Sequence, residues 1–301
     1  MTAKMRICAG PIDFPVISDF LYSLYQPDNR DGNWLQPIWE YAYTNPWFDE
    51  EAVPRIGIWE ATGRIVGVTL YESRLGEAFF QIHPAYLYLK LEMLSHAEQH
   101  LTGTTDQGER YLKAYVNDWD TEFEHVMRSR GYEKDPASHR PMSQLVIPDP
   151  FPPILLRDGF QLKSLADDND LNKIDRLLWR GFNHPGEPPA DSIRGRKKMQ
   201  SGPHFRKDLT IVVEAPNGDF VAFGGLWFDQ VNRIGYVEPV ATDPDYRRMG
   251  LGTAAVLEGI RRCGEDGATV AYVGTDMPFY LAMGFKKLYT LNCWIKYFSS
   301  D

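Results

Sequence analysis

The chain has 301 residues, 43% hydrophobic and 24% charged, which is typical of a globular protein with one large or two ordinary domains. Its apolar runs are far shorter than the roughly 18 residues that cross a bilayer, and its N-terminal segment lacks an apolar core of signal-peptide length, so we expect no membrane association. The formal net charge of -9 argues against a general nucleic-acid binder.

The cysteines suggest the cellular setting. Cys8, Cys263 and Cys293 show neither a C-x-x-C pair nor the spacing of metal ligands. The sequence therefore predicts a reduced, cytoplasmic protein without a metal site. It carries no signal for the oligomeric state.

The first half of the chain alternates strand-like and helical segments. "RIGIWE" and "IVGVTLYES" flank the turn "ATGR" and predict a hairpin, and "AFFQIHP" predicts a third strand. A predicted helix "YLYLKLEMLSHAEQHL", a strand "RYLKAYVND" and a helix "TEFEHVMRSR" follow, and "GYEKD" opens a closing strand.

A proline-rich segment divides the chain. "IPDPFPPILL" holds Pro148, Pro150, Pro152 and Pro153, and proline favours extended, semi-rigid backbone. We predict a first domain over residues 1–147, a linker over 148–156 and a second domain over 157–301.

The second half repeats the order of the first. "LTIVVEA", "DFVAFGGLWFD" and "RIGYVEPVAT" predict three strands, and Met249 to Cys263 has helical apolar spacing. The strand "ATVAYVG", a short helix over "PFYLAM" and a last strand pair around "FKKLYTLNCWIKYF" complete it. Pro84 corresponds to Pro244, and Gly131 to Gly284, so we predict a tandem repeat.

The stretch "DPDYRRMGLGTAAV" carries the clearest chemical signal. Arg247 and Arg248 precede a Gly-x-Gly at the start of a predicted helix, where free backbone N–H groups and cations suit a phosphate or pyrophosphate. The alternative is a surface turn with solvated arginines. A Walker loop is excluded because no lysine follows the glycines. A dinucleotide fold is excluded because the polar "DPDYRR" separates the glycines from the strand and too little chain follows.

In order and spacing, "VEPVATDPDYRRMGLGTAAVLEGI" resembles the acetyl-coenzyme A motif of the GNAT superfamily of N-acetyltransferases, and "FYLAMGFKK" resembles its later Tyr-x-x-x-Gly-Phe segment. The match spans about Thr210 to Lys296, and the first half resembles the same fold more weakly. The resemblance implies an α/β (α+β) chain of two tandem GNAT-like domains, each a mixed, mostly antiparallel twisted sheet flanked by helices. The N-terminal copy would be degenerate and the C-terminal copy catalytic.

The resemblance also implies where acetyl-coenzyme A lies. The fourth and fifth strands of the domain would splay apart, and backbone groups of Val240, Ala241 and Thr242 would pair with the pantetheine arm. The pyrophosphate would be cradled by Arg247, Arg248, Met249, Gly250, Leu251, Gly252 and Thr253. Pro239 independently favours an unpaired or bulged strand edge, because proline cannot donate to a sheet; the alternative is an ordinary edge-strand proline.

Two residues are candidates for catalysis. Tyr280 stands four residues before Gly284, at the position of the superfamily's general-acid tyrosine, and the alternative is a tyrosine packed under the cofactor. Glu238, on the strand that leads to the acetyl group, is the candidate base, and the alternative is a strand carboxylate in an ion pair. The asparagine often found before the tyrosine is missing, and Asp276 and Met277 occupy that segment.

The acceptor pocket in this fold is built largely by the first two helices and their connection, here "WRGFNHPGEPPADSIRGRKKMQ". His184 and Glu187 are candidate substrate residues in its Pro/Gly-rich loop, and the alternative is that both are solvated. "RGRKK" reads as the exposed face of a short helix rather than as a nucleic-acid site.

The resulting prediction is an N-acetyltransferase that transfers acetyl from acetyl-coenzyme A to a primary amine by direct attack. The alternative is a non-catalytic protein that binds or senses acyl-coenzyme A. In the first copy, Leu87 and Tyr88 stand where the two arginines stand, and Lys90 and Glu92 replace the two glycines. We therefore predict one coenzyme A site per chain.

Overall fold

The computed structural model describes residues 2–27 and 30–299. The chain divides into two compact units. The N-terminal unit comprises Met1–Tyr43, Trp47–Met142 and Leu288–Asp301, and the C-terminal unit comprises Thr44–Pro46 and Ser143–Lys287. Within the described ranges, no helix is both long and apolar enough to span a bilayer.

The elements have the following bounds. The strands are β1 (Lys4–Ile7), β2 (Gly57–Ala61), β3 (Arg64–Leu70), β4 (Glu77–Ile82), β5 (Gly103–Thr104), β6 (Arg110–Asn117), β7 (Glu133–Val146), β8 (Gln161–Ser164), β9 (Ile211–Glu214), β10 (Phe220–Asp229), β11 (Ile234–Thr242), β12 (Val270–Val273) and β13 (Lys286–Phe298). The α-helices are α1 (Asp13–Leu24), α2 (Gln36–Thr44), α3 (Lys90–His100), α4 (Thr121–Ser129), α5 (Leu171–Gly181), α6 (Ile193–Met199), α7 (Leu251–Glu265) and α8 (Pro278–Leu281).

The predicted strands and helices are present, with two differences. The segment predicted as a last strand pair is the single strand β13, because no Gly or Pro interrupts its alternating apolar pattern. The helix predicted from "YLYL" begins as a 3-10 turn over Pro84–Leu89, and α3 starts only at Lys90.

In the N-terminal unit, the sheet has the order β1-β2-β3-β4-β6-β13, and β5 pairs with the edge of β6. Only β4 and β6 run parallel in this set, and they pair over just Glu77–Ala78 opposite Lys113–Ala114. β13 contributes Leu291–Phe298, which pair antiparallel with β6. α3 covers one face, where Met93 packs in a buried cluster with Trp59.

In the C-terminal unit, the sheet has the order β7-β12-β11-β10-β9-β8, and only β11 and β12 run parallel. β7 contributes Ser143–Val146 to it. Both units thus contain a mixed, mostly antiparallel sheet flanked by helices, as expected. The division at residues 148–156 remains a prediction about where an independently folding domain begins.

Two helices enclose the C-terminal sheet. On β9, Val212 belongs to a buried cluster with Leu178 of α5, whereas Val213 belongs to one with Ala255 of α7. Because adjacent strand residues point to opposite faces, α5 and α7 cover opposite faces of the sheet. Each fully buried Leu, Ile or Val contributes about 1.5–3 kcal/mol. This packing holds the ends of α5, β11 and the start of α7 together.

Candidate functional site

A cleft opens where two parallel strands part. β11 pairs with β12 only from Ile234 to Tyr236. β11 then runs on to Thr242, whereas β12 ends at Val273. In the described part of the chain, residues 237–242 have no strand partner on the β12 side, so their backbone edge can bind another extended group. This is the splay that the resemblance implies.

A bulge lies where the strands diverge. The register between β10 and β11 shifts at Gly225, so this one residue faces two, Glu238 and Pro239. A Cβ added at Gly225 would lie 2.5 Å from the Glu238 carbonyl oxygen, so only glycine fits there. The prediction of a bulged edge at Pro239 is confirmed.

The start of α7 faces this strand end. Gly250 precedes the helix with a left-handed φ of 79°, and the first intrahelical bond runs from the Ala254 N–H to the Gly250 carbonyl. The N–H groups of the first turn therefore have no intrahelical acceptor. A Cβ added at Gly252 would lie 2.6 Å from Thr242 Oγ1. Because Gly252 has no side chain, the first turn of α7 can lie against β11, and this end of the helix carries a partial positive charge.

The two arginines of the loop have different roles. Arg247 Nη2 donates to the Gly181 carbonyl at 2.9 Å and to Asn183 Oδ1 at 2.8 Å, and its Nε donates to the Thr242 carbonyl at 3.3 Å. Arg248 is exposed and forms no hydrogen bond or ion pair with any described residue. Arg247 thus braces the loop, and the Arg248 guanidinium keeps its donors unused among the described residues.

Replacing Arg248 with alanine should weaken acetyl-coenzyme A binding at least several fold and leave the thermal midpoint of the free protein nearly unchanged. The reason is that the Arg248 side chain meets a partner only in the complex, where a charged hydrogen bond contributes roughly 1.5–3 kcal/mol. Calorimetric titration of R248A measures this, with R157A as the control because Arg157 is an exposed arginine that does not line the cleft. Equal affinity in wild type and R248A would remove the pyrophosphate assignment.

A second arginine ties the loop to α5. Arg180 Nε and Nη2 donate to the two carboxylate oxygens of Asp243 at 2.6 and 3.0 Å, and Nη2 also donates to Asp245 at 2.7 Å. Burial raises the pKa of Asp243, but the Arg180 hydrogen bonds and charge outweigh it and hold that pKa below its usual range. Together with the Arg247 contacts to Gly181 and Asn183, this ion pair ties the loop to the C-terminal end of α5.

The variant Asp243→Asn should lower the melting temperature by several degrees at pH 7, because asparagine keeps an acceptor for the Asp245 N–H but offers Arg180 no charge. A lowered native pKa stabilises the fold above the unfolded pKa of about 3.9, and this stabilisation is lost as the pH falls through the native value. The difference between wild type and variant should therefore shrink below about pH 4. Thermal unfolding followed by circular dichroism tests this, and a difference that stays constant down to acid pH contradicts it.

These elements enclose a cleft of about 470 Å³. The predicted cofactor residues that line it are Val240, Ala241, Thr242, Arg247, Arg248, Gly250, Leu251, Gly252 and Thr253, joined by Tyr280. Met249 is not among the lining residues and instead packs against the buried cluster that contains Ala255. The cleft is also lined by Gly181, Tyr246, Met277 and Phe279, which the sequence did not single out as ligand-binding.

Tyr280 lies in the wall of the cleft. Its ring is held edge-on by Phe279 and Phe285, with centroids 4.9 and 5.9 Å away. Burial and the negative charge of Glu238 raise the pKa of its hydroxyl. The hydroxyl has no hydrogen-bond partner among the residues described here. It is therefore a protonated donor available to a group in the cleft.

Glu238 opens onto a second cavity. This cavity, which we call the acceptor-side cavity, measures about 20 Å³ and is lined by α5, α6, β10 and the bulge at Glu238 and Pro239. The negative charge of Glu238 adds to the effect of burial in raising the pKa of Tyr280. Glu238 lines this cavity and is not among the residues that line the cleft.

The candidate substrate residues His184 and Glu187 line neither of these two cavities. His184 stacks on Trp179 with ring centroids 4.4 Å apart, and the Glu187 side chain is 73% exposed and 3.8 Å from Arg176. Trp179 Nε1 also donates to the carbonyls of Pro185 and Gly186, which shapes the loop. A role for either residue in substrate binding stays a prediction.

Several residues that shape the site carry no local sequence signal. Arg180 and Asn183 hold the loop from positions more than 60 residues away in the chain. The quoted segment "WRGFNHPG" contains both, but nothing in its spacing indicates their partners. Arg196, in the middle of α6, and Gln200, just after its end, line the acceptor-side cavity.

The comparison with protein families identifies the same part of the chain. Residues 171–285 match the model of the acetyltransferase (GNAT) family. No curated protein sequence matches the chain. The match covers the part of the chain that contains β9 to α8, and therefore the whole cleft.

Solved structures share the fold over the full chain. A GCN5-related N-acetyltransferase from Sphaerobacter thermophilus has a TM-score of 0.67 at 13% identity, covering 98% of this chain and 95% of its own. A tandem GNAT protein from the clavulanic acid biosynthesis pathway has a TM-score of 0.66 at 14% identity, covering 100% of both chains. The Saccharomyces cerevisiae N-myristoyltransferase with bound myristoyl-CoA has a TM-score of 0.54 at 13% identity, covering 99% and 80%. The chain shares its fold with these proteins, and its residues 171–285 match the GNAT family model.

Proposed function

We propose that this protein, with its C-terminal GNAT domain, is an N-acetyltransferase that moves acetyl from acetyl-coenzyme A to a primary amine by direct attack in a ternary complex. One observation carries the proposal. A single cleft is lined by the start of α7, the cation Arg248, the open edge of β11 and the hydroxyl-bearing Tyr280.

The residues of the cleft fit the parts of the co-substrate. The first turn of α7 and Arg248 suit the pyrophosphate, because both offer donors to an anion. The unpaired edge at Val240 to Thr242 suits the amides of the pantetheine arm. The thioester would then lie near Tyr280, which lines the same cleft.

The acceptor must become a neutral amine before it attacks. An alkylamine has a pKa near 10.4, so deprotonation at pH 7 costs about 4.6 kcal/mol. Glu238 takes that proton, directly or through water. The amine nitrogen then bonds to the thioester carbon, the carbon–sulfur bond breaks, and Tyr280 donates a proton to the departing sulfur. The products are an N-acetyl amine and free coenzyme A.

Replacing Glu238 with glutamine should lower kcat/KM at pH 7 by at least tenfold. The loss should shrink as the pH rises toward the pKa of the amine, because the solvent then supplies the neutral nucleophile. The measurement is a pH–rate profile of both proteins, with acetyl-coenzyme A affinity measured alongside. A loss that is equal at every pH would make Glu238 a packing or positioning residue.

The function itself is tested with a panel of amines, read by free thiol and by product mass. Amine-dependent thiol release with a mass gain of one acetyl group supports the proposal. Tight acetyl-coenzyme A binding without turnover on any amine would instead indicate a non-catalytic protein that binds or senses acyl-coenzyme A.

A further inference from the structure

We propose that the N-terminal unit carries a second ligand site, which binds a neutral aromatic compound that bears a carbonyl oxygen. The site is a cavity of about 120 Å³ between β4, β6 and the start of α4. All of its lining residues belong to the N-terminal unit. The proposed acetyl transfer does not use this cavity, so the two proposals stand or fall separately.

The walls of the cavity are largely aromatic. β4 and β6 pair over only two residues each and then part, and the side chains beyond that point line the opening. Phe79 stacks on Tyr115 with ring centroids 4.4 Å apart, and Phe80 meets Phe123 edge to face at 5.3 Å. Such walls bind flat apolar groups.

The cavity has room for one aromatic ring, since an apolar cavity of about 150 Å³ in another protein binds benzene. It adjoins a groove of about 490 Å³, and both are lined by Leu87, Lys90, Asp120 and Phe123. The exposed apolar side chains of the groove are Leu87, Tyr88, Leu91 and Trp119. A substituent on the ring can therefore extend over this surface.

One buried polar group of the lining has no partner. Gln81 lines the cavity and is only 1% exposed. Its Oε1 accepts from the Trp34 N–H at 2.6 Å, which leaves Nε2 as the donor, and Nε2 donates to no described residue. An unpaired buried donor is unfavourable, so an acceptor that enters the cavity gains this hydrogen bond.

The charged groups of the lining are already paired. Lys90 forms an ion pair with Asp120, which also accepts from the Phe123 N–H at 3.1 Å. The Asp31 carboxylate accepts from the Asn33 backbone N–H at 3.1 Å and from its side-chain amide at 2.8 Å. A ligand with a net charge would lose its water without gaining a free counter-charge. The lining therefore favours a neutral ligand.

The other amide side chains of the lining are used as well. Asn33 holds the end of β4. Asn117 Nδ2 donates to the Arg30 carbonyl at 2.7 Å, and its Oδ1 accepts from the Trp119 N–H at 2.9 Å. A buried water needs about two to four polar partners, and beyond Gln81 these side chains offer it few. A carbonyl oxygen on an aromatic ring suits both Gln81 and the apolar walls.

The test is an NMR titration of the wild-type protein with benzamide, benzoate, benzamidine and ethylbenzene. These probes share one ring and differ in charge or in the acceptor. We expect benzamide to bind at least tenfold more tightly than the benzoate anion and the benzamidine cation, and several fold more tightly than ethylbenzene, which has no acceptor. Binding of either charged probe as tight as that of benzamide overturns the proposal. So does the absence of benzamide binding up to its solubility limit.

A variant tests the contact with Gln81. Gln81→Leu removes the Nε2 donor, so it should weaken benzamide binding several fold and leave ethylbenzene binding unchanged. The control is Gln107→Leu, since Gln107 is exposed and does not line the cavity. Thermal unfolding checks that Q81L is folded, because the change also removes the acceptor of the Trp34 N–H. Equal weakening of both ligands in folded Q81L contradicts the contact.

The place of the ligand can also be measured without a variant. Nuclear Overhauser contacts in the wild type are expected between the benzamide ring and the rings of Phe79, Phe80 and Phe123. If benzamide shows contacts only with other parts of the protein, the cavity is not its site and the proposal is wrong.

Discussion

Replacing Tyr280 with phenylalanine is expected to lower turnover about 10²-fold while acetyl-coenzyme A binds as tightly as before. Phenylalanine keeps the ring between Phe279 and Phe285 and removes only the hydroxyl, which makes no hydrogen bond to any described residue. The change therefore removes a proton donor without disturbing the packing. Single-turnover thiol release and calorimetric titration measure the two quantities separately.

The pH dependence gives a second readout for the same residue. Burial and the Glu238 charge raise the pKa of Tyr280 above its usual value near 10, so the phenol stays protonated through neutral and mildly alkaline pH. Wild-type activity should not fall in that range through ionisation of Tyr280. The control is Tyr297→Phe, since Tyr297 is 57% exposed and belongs to the N-terminal unit. Turnover of Y280F within about twofold of wild type, on an accepted amine, would make Tyr280 a packing residue.

Titration with acetyl-coenzyme A is expected to give a stoichiometry near one per chain. The N-terminal unit has a corresponding gap, because β4 and β6 pair over only two residues each before they part. In the loop of this unit, Leu87 and Tyr88 take the places of the two arginines. On α4, the fully buried Met127 takes the place of Tyr280. The cations and the acid are therefore both missing.

Residues of the same unit also occupy this gap. The Asn33 side chain donates to the Ile82 carbonyl at 3.1 Å and accepts from the Ile82 N–H at 2.7 Å. It thus satisfies the end of β4 as a pantetheine amide would. Lys90, which replaces Gly250, forms an ion pair with Asp120 at the start of α4. The protein's own polar groups thus bind the strand end and the loop, and the cavity that remains there measures about 120 Å³.

Titration of the variant R248A tests whether all of the acetyl-coenzyme A binds in the cleft beside α7. If the cleft beside α7 is the single site, the weakened affinity of R248A should apply to all of the binding. The prediction is contradicted by a stoichiometry near two in the wild type. It is also contradicted if some sites in R248A bind acetyl-coenzyme A as tightly as the wild type does. A structure with coenzyme A should show its pyrophosphate at Arg248 and not near Leu87.

The parts of the site that follow from local chemistry were predictable from the sequence. The left-handed Gly250, the bare helix start and the position of Tyr280 before Gly284 all lie in short contiguous stretches, where turn and helix-end rules apply. The alternation of apolar residues likewise placed β10, β11 and α7, because a half-buried strand and an amphipathic helix have different periods.

Other features depend on contacts between distant parts of the chain. The sequence shows two adjacent arginines, but only the packing of α5 against the sheet brings Gly181 and Asn183 to Arg247 and leaves Arg248 unpaired. The hydrogen bonds of Asn33 with Ile82 at the end of β4 join residues 49 positions apart. The ion pair of Arg196 with the buried Asp175 joins residues 21 positions apart.

The sequence by itself thus predicted the fold, through its resemblance to the GNAT superfamily, and it located the loop and the tyrosine that we propose for pyrophosphate binding and acid catalysis, since each of these motifs lies within one turn or helix. The tertiary structure decided which polar groups remain available to a ligand. Hydrogen bonds and ion pairs between elements use up donors and acceptors in a way that no local pattern records. For this protein, that distinction separates Arg248, which has no partner among the described residues, from Arg247, whose side chain donates to three acceptors.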